Sequence, residues 1–141
     1  MLEQTACYLS IYRLTKAQEV LQQAEVLQQH QQYDGSINRS YYAIFSAIRA
    51  LLALIQLDSG KHSGVIGYFD RYFVKTGIFD KTFSRIAHAA FEARQDSDYE
   101  DFYVPNQVEA YQQLEEAKLF IQEVKVIQTK LIKQEIALPT I

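Results

Sequence analysis

Apolar side chains along this chain recur at steps of three and four, not two. Leu14, Ala17, Leu21, Ala24 and Leu27 form one helical stripe, and Thr15 with Gln18 has capping-box spacing at its start. Residues 1–12 read as a frayed helical start or as an N-terminal arm. The opposite face ends in Gln-Gln-His-Gln-Gln at 28–32, a solvated helix end that leaves His30 in water. Tyr33-Asp34-Gly35-Ser36 consists largely of turn and cap residues and predicts a break. Ile37, Tyr41, Ile44, Ile48, Leu51 and Ile55, widened by Phe45 and Leu52, then predict a helix over 37–57. An apolar arc that wide belongs inside a bundle.

Asp58-Ser59-Gly60 ends that helix, and Val65, Ile66, Phe69, Tyr72 and Phe73 carry a shorter pattern over 61–76. Gly77 suits the left-handed position that closes many helices. Asp80 can cap the next helix, whose buried face is Phe83, Ile86, Ala87, Ala90 and Phe91 and whose end falls near Arg94 or Gln95. The segment 96–106, DSDYEDFYVPN, reads as a polar, aromatic loop, with Pro105 disfavouring helix at Val104. Asn106 and Glu109 are spaced to cap a last helix lined by Leu114, Ala117, Ile121, Val124 and Leu131 and running to about Gln134. Residues 135–141, with Pro139, read as a mobile tail. The expected fold is all-α, an antiparallel four- to five-helix bundle in a single domain over 1–141.

Composition narrows the class. A chain of 141 residues, 48% hydrophobic and 22% charged, can support one core and is not expected to be disordered. Five Gly and two Pro are too few for the turns of an all-β domain. The lone Cys7 excludes an internal disulfide and fits a reducing, cytoplasmic setting. A net charge of −3 gives no global attraction to nucleic acid, though a local basic patch remains open. No apolar run approaches a membrane span, and Met-Leu-Glu-Gln has no signal-peptide pattern, so no membrane association is expected.

Candidate chemistry is sparse. Lys61-His62 at a helix start can meet a phosphate or simply cap the helix. His88 shares a face with Arg85 and reads as a packed or surface histidine. No metal-ligand spacing occurs, so no metal and no cofactor is expected. Ser59-Gly60-Lys61-His62-Ser63-Gly64 lacks the spacing and the preceding strand of a phosphate loop. The most informative segment is Glu92-Ala93-Arg94-Gln95-Asp96-Ser97-Asp98-Tyr99: an arginine at the end of a packed helix, then an acidic link bearing a tyrosine. Arg94 can serve as a C-terminal cation with Asp96 and Asp98 as its partners, or as a functional group.

The string Asn38-Arg39-Ser40-Tyr41-Tyr42-Ala43-Ile44-Phe45, followed by Arg49-Ala50-Leu51-Leu52, Lys61-His62, Phe73-Val74-Lys75-Thr76-Gly77 and Arg94-x4-Tyr99, resembles HEPN domains over residues 14–130. The likeness is to the small stand-alone proteins of that family encoded beside minimal nucleotidyltransferases. It implies a helical bundle that dimerises. In many members an Arg and a downstream His from each copy meet in a metal-independent RNA-cleaving cleft. In toxin–antitoxin pairs the nucleotidyltransferase can neutralise the toxin, including by adding AMP to a tyrosine near the motif. Here Tyr99 stands where the histidine is expected, and Asp101 where some toxins carry the downstream tyrosine. Histidine titrates near neutrality, whereas a tyrosine at its ordinary pKa of about 10 is only about one part in a thousand ionised at pH 7, so it is a poor general base.

Three readings follow. In the first, a HEPN homodimer binds RNA or nucleotide at a shared cleft, with Arg94, Tyr99 and Asp98 as the motif side chains and Asn38, Arg39, Lys61 and His62 adding contacts. In the second, the protein is a non-catalytic partner of a nucleotidyltransferase, with Tyr99 or Tyr103 as AMP acceptor. In the third it is a structural dimer, with Asn38, Tyr41 and Arg94 in a buried polar network. The wide apolar arc on 37–55 and the 18 Phe and Tyr favour an interface.

Overall fold

The first helix begins earlier than its apolar stripe suggests. In the computed structural model, which describes residues 2–141, α1 spans Gln4–Gln29, and the Glu3 carboxylate caps it by accepting from the Thr5 and Ala6 amides. These backbone hydrogen bonds hold the Glu3 carboxyl below its ordinary pKa. Residues 4–12 are therefore helix rather than arm, and the buried row extends back through Leu14 to Ser10 and Ala6. Thr15 is not a cap; mid-helix, its hydroxyl donates to the Ile11 carbonyl at 3.0 Å.

The break between the first two helices falls at residues 30–32, not at 33–36. Gln31 takes a positive φ of 62° there, and α2 spans Tyr33–Leu54. Gly35 and Ser36 serve packing within the first turn of α2. A Cβ on Gly35 would lie 3.2 Å from Leu27 Cδ1, and Ser36 Oγ donates to the Ala24 carbonyl at 2.9 Å. Small residues thus let α1 and α2 approach closely. α2 packs against every other helix, which accounts for the breadth of its buried arc.

α3 covers His62–Phe69 and continues as a π-helical turn over Asp70–Val74. Gly77 ends this unit at φ 84°, and its own amide donates back to the Val74 carbonyl at 2.9 Å, a closure expected of a left-handed cap, while the Phe79 amide donates to the Phe73 carbonyl at 2.8 Å. α4 spans Lys81–Tyr99, with the Asp80 carboxylate accepting from the Thr82 amide. Its length corrects the expected loop at 96–106: Asp96–Tyr99 are helical, and the linker is 100–106. α5 spans Gln107–Ile132, capped by Asn106 Oδ1 accepting from the Glu109 amide at 2.8 Å. After α5 the chain has no further helix, but Ile136 and Leu138 pack on the core, so the terminal segment is docked at two side chains.

These five helices, with no strand among the described residues, form an all-α bundle. No described helix is long and apolar enough to cross a membrane. Phe69, Phe73, Phe79, Phe83 and Phe120 interlock where α3, its π-helical turn, α4 and α5 meet. The Tyr41 end of α2 carries a different, polar cluster.

Candidate functional site

Arg94 lies on α4 directly after buried Ala93 and Ala90, so the helix carries its guanidinium against α2 with the side chain only 13% exposed. Asp98, one turn later, accepts from Arg94 Nε at 3.0 Å. That pair exists because α4 continues past Gln95; in a loop the two side chains would have no fixed spacing. Arg94 Nη2 donates to the Tyr42 hydroxyl at 3.0 Å and to the Tyr99 hydroxyl at 3.1 Å. Three tyrosine rings surround the guanidinium carbon, with centroids at 5.7 Å for Tyr41, 5.3 Å for Tyr42 and 5.1 Å for Tyr99, all within cation–π range. Arg94 Nη1 has no protein partner among the described residues and is not sealed from solvent.

Asn38 joins this group from α2: its Nδ2 donates to Asp98 Oδ2 at 2.9 Å. Arg39 remains at the rim, exposed, with a long 3.4 Å contact to Asn38 Oδ1. It also borders a groove of about 650 Å³ between α1 and α2, lined by Glu19, Gln22, Gln23, Val26 and Leu27.

His62, at the start of α3, reaches the cluster from another direction. Its Nδ1 lies 2.6 Å from the Tyr41 hydroxyl. Its ring stacks on Phe45 with centroids 4.2 Å apart and meets Tyr42 edge-on at 5.8 Å. Burial, and then the Arg94 charge, hold His62 below its ordinary pKa; burial is also the main cause of a raised Tyr41 pKa. Lys61 precedes His62 and is exposed.

The remaining candidates lie apart. Tyr103 donates to Glu109 Oε1, and burial together with that carboxylate pushes its pKa up to about 12. Glu109 is thus occupied by Tyr103 rather than closing a capping box. His88 pairs with Asp70 at 2.7 Å, while Arg85 pairs with Glu116 at 3.1 Å, so sharing a helix face does not join them. His30 is exposed at the C-cap of α1. The expected network of Asn38, Tyr41 and Arg94 takes a modified form: Asn38 reaches Arg94 through Asp98, and the Tyr41 ring faces Arg94 while its hydroxyl serves His62. Sequence reasoning missed Tyr42 as an Arg94 acceptor; its place beside Tyr41 on the face toward α4 was the available signal.

The arrangement can present one oriented cationic N–H edge, next to an aromatic surface, to an anion or a base. An arginine held by a carboxylate and two hydroxyls loses little freedom when it binds.

The HEPN domain model matches residues 11–127. A UPF0332 protein of Thermotoga maritima is 39% identical over 88 residues, covering 62% of this chain and 67% of the relative. Two proteins of Methanocaldococcus jannaschii bearing the name "putative toxin" are also similar. One is 35% identical over 109 residues, 77% of this chain and 81% of the relative. The other is 30% identical over 124 residues, 86% and 84% respectively.

Proposed function

The chain belongs to the HEPN family, and from that premise we infer that it is a toxin-like module that engages a phosphate of RNA or of a nucleotide at the Arg94 cluster. The observation that carries the reading is the guanidinium itself: anchored on Nε and Nη2 by Asp98, Tyr42 and Tyr99, with Nη1 left for a ligand. The names of the two M. jannaschii relatives support the toxin-like part. A homodimer that brings two such clusters to one cleft, with a minimal nucleotidyltransferase as antagonist, follows from the family resemblance. The reading is one of binding. The Tyr99 hydroxyl already accepts from Arg94, and a phenol is a weak proton acceptor, so hydrolysis through a motif base is disfavoured.

A second reading, AMP acceptance, is favoured at Tyr99 over Tyr103. Tyr99 is 67% exposed with its hydroxyl beside Arg94, which can steady a nucleotide phosphate. Tyr103 is held on Glu109 with its proton bound more tightly.

The test uses purified protein with tRNA and total RNA in the presence of chelator, scoring binding by gel shift and cleavage by product bands. Arg94→Ala is expected to weaken binding about ten- to a hundredfold, the loss of a charged hydrogen bond worth about 1.5–3 kcal/mol. Binding unchanged in Arg94→Ala overturns the reading. AMP found on Tyr99 after co-expression with a nucleotidyltransferase, without RNA binding, replaces it with the second.

A further inference from the structure

The family motif lacks its histidine in this chain, yet an imidazole stands beside the motif arginine. His62 and Arg94 flank the same two tyrosines. The His62 ring centroid lies 5.7 Å from that of Tyr41 and 5.8 Å from that of Tyr42, and the Arg94 guanidinium carbon lies 5.7 Å and 5.3 Å from the same rings. Stacking on Phe45 at 4.2 Å and the Tyr41 hydrogen bond fix the plane of the imidazole.

The hydrogen bond also assigns the tautomer. Tyr41 is 1% exposed, and its hydroxyl has no other partner among the described residues. Were Nδ1 the donor, the Tyr41 proton would be left in the core without an acceptor, at a cost of about 1–3 kcal/mol. Tyr41 therefore donates to Nδ1, and in the neutral ring Nε2 carries the hydrogen. Nε2 has no partner among the described residues and is not sealed from solvent. Two free nitrogen donors, His62 Nε2 and Arg94 Nη1, thus belong to one cluster.

Charge then separates their roles. The groups around His62 are Tyr41, Tyr42 and apolar Phe45 from α2, Arg94 with Asp98 from α4, and Lys61 immediately before it. Asp98 offsets much of the Arg94 charge, so an added positive charge strengthens the attraction for an anion. His62 can supply that charge by taking up a proton at Nδ1, which turns the Tyr41 hydroxyl from donor to acceptor, so the uptake has to be driven by the anion; Lys61 contributes from an exposed position.

We propose that His62 is the imidazole partner of Arg94 in a phosphoryl-binding pair, Nε2 and Nη1 each donating to an oxygen of one phosphate group; this rests on reading the Arg94 cluster as a phosphate site. Without ligand, burial and then the Arg94 charge hold the His62 pKa below its ordinary value. A bound anion offsets the Arg94 charge and attracts an imidazolium, against the added burial and the reversal of the Tyr41 hydrogen bond, so binding raises the His62 pKa and places a proton on Nδ1. Affinity then rises as pH falls through the pKa of the bound state.

The full chain is titrated with the dinucleoside monophosphate ApA, whose phosphodiester keeps a constant charge between about pH 5 and 8, and separately with inorganic phosphate. NMR of the histidine rings is expected to show the His62 pKa rising by about one unit with ligand, and calorimetry about tenfold tighter binding at the acid end. His62→Gln, which keeps an uncharged donor, is expected to flatten the pH dependence and weaken binding less than Arg94→Ala does. A response to ApA assigns the pair to diesters, and a response to inorganic phosphate alone assigns it to terminal phosphates; either supports the pair. Binding that needs Arg94 while the His62 titration stays put, with His62→Gln still pH-dependent, overturns the pair and leaves the Arg94 site standing. Failure of wild type to bind either probe overturns both.

Discussion

Two aromatic clusters in this bundle solve different problems. Phe69, Phe79, Phe83 and Phe120 pack with centroids 5.2–6.5 Å apart and contribute no side-chain polar atoms. Their requirement is volume, and several ring arrangements of similar energy can satisfy it. At the other cluster the Tyr41, Tyr42 and Tyr99 hydroxyls all have partners: His62 for the first and Arg94 for the other two. A buried hydroxyl needs a partner in one direction, so Tyr41, and half-buried Tyr42 beside it, also specify where a polar neighbour sits. The phenylalanines hold α3, α4 and α5 together; the tyrosines turn that assembly into an oriented guanidinium and imidazole.

The contrast predicts unequal sensitivities. Phe120→Ala, which opens a cavity under three rings, is expected to cost about 3–5 kcal/mol in a denaturant titration. A loss under 1 kcal/mol would mean the phenylalanine cluster collapses around the gap and does not carry the fold. Tyr41→Phe keeps the volume and removes only the hydroxyl. It is expected to cost about 1 kcal/mol, the net worth of one hydrogen bond, and to free His62 Nδ1. The imidazole should then lose its fixed tautomer, visible in its ring nitrogen shifts; an unchanged tautomer would detach His62 from Tyr41.

The smallest effect is one of pH. The folded-state pKa of His62 lies below its unfolded value, so above about pH 6.5 both states are neutral there and nothing is lost. As pH falls below that value the unfolded chain takes the proton first, and stability declines. Asp58 and Asp80, held below their ordinary values by hydrogen bonds from Arg49 and Thr82, act only near and below about pH 4, so the windows separate. Melting temperature against pH should show a shallow decline beginning near 6.5 that His62→Gln removes; an equal decline in both proteins would assign it elsewhere.

Much of the helical scaffold was legible residue by residue. The row from Ile37 to Ile55 is buried, apart from the half-exposed Phe45 that widens it. Gly77, Asp80 and Asn106 act where their chemistry put them, because a positive φ and a capping oxygen are local requirements. Gly35 and Ser36 misled for the converse reason: their smallness answers to Leu27 and Ala24 on another helix, and no local pattern records that. Asp96–Tyr99 looked like loop because they have no apolar period, while Arg94 stabilises them as helix from one turn away.

Periodicity and capping chemistry, both properties of a few neighbouring residues, were enough to determine an all-α bundle, and the resemblance to HEPN domains pointed to Arg94, Asp98 and Tyr99 within it. Bringing His62 beside Tyr41, and Tyr42 onto Arg94, was decided only when α3 and α4 packed on α2. Those contacts join positions far apart in the chain, and their energy exists only once water has been excluded between the helices.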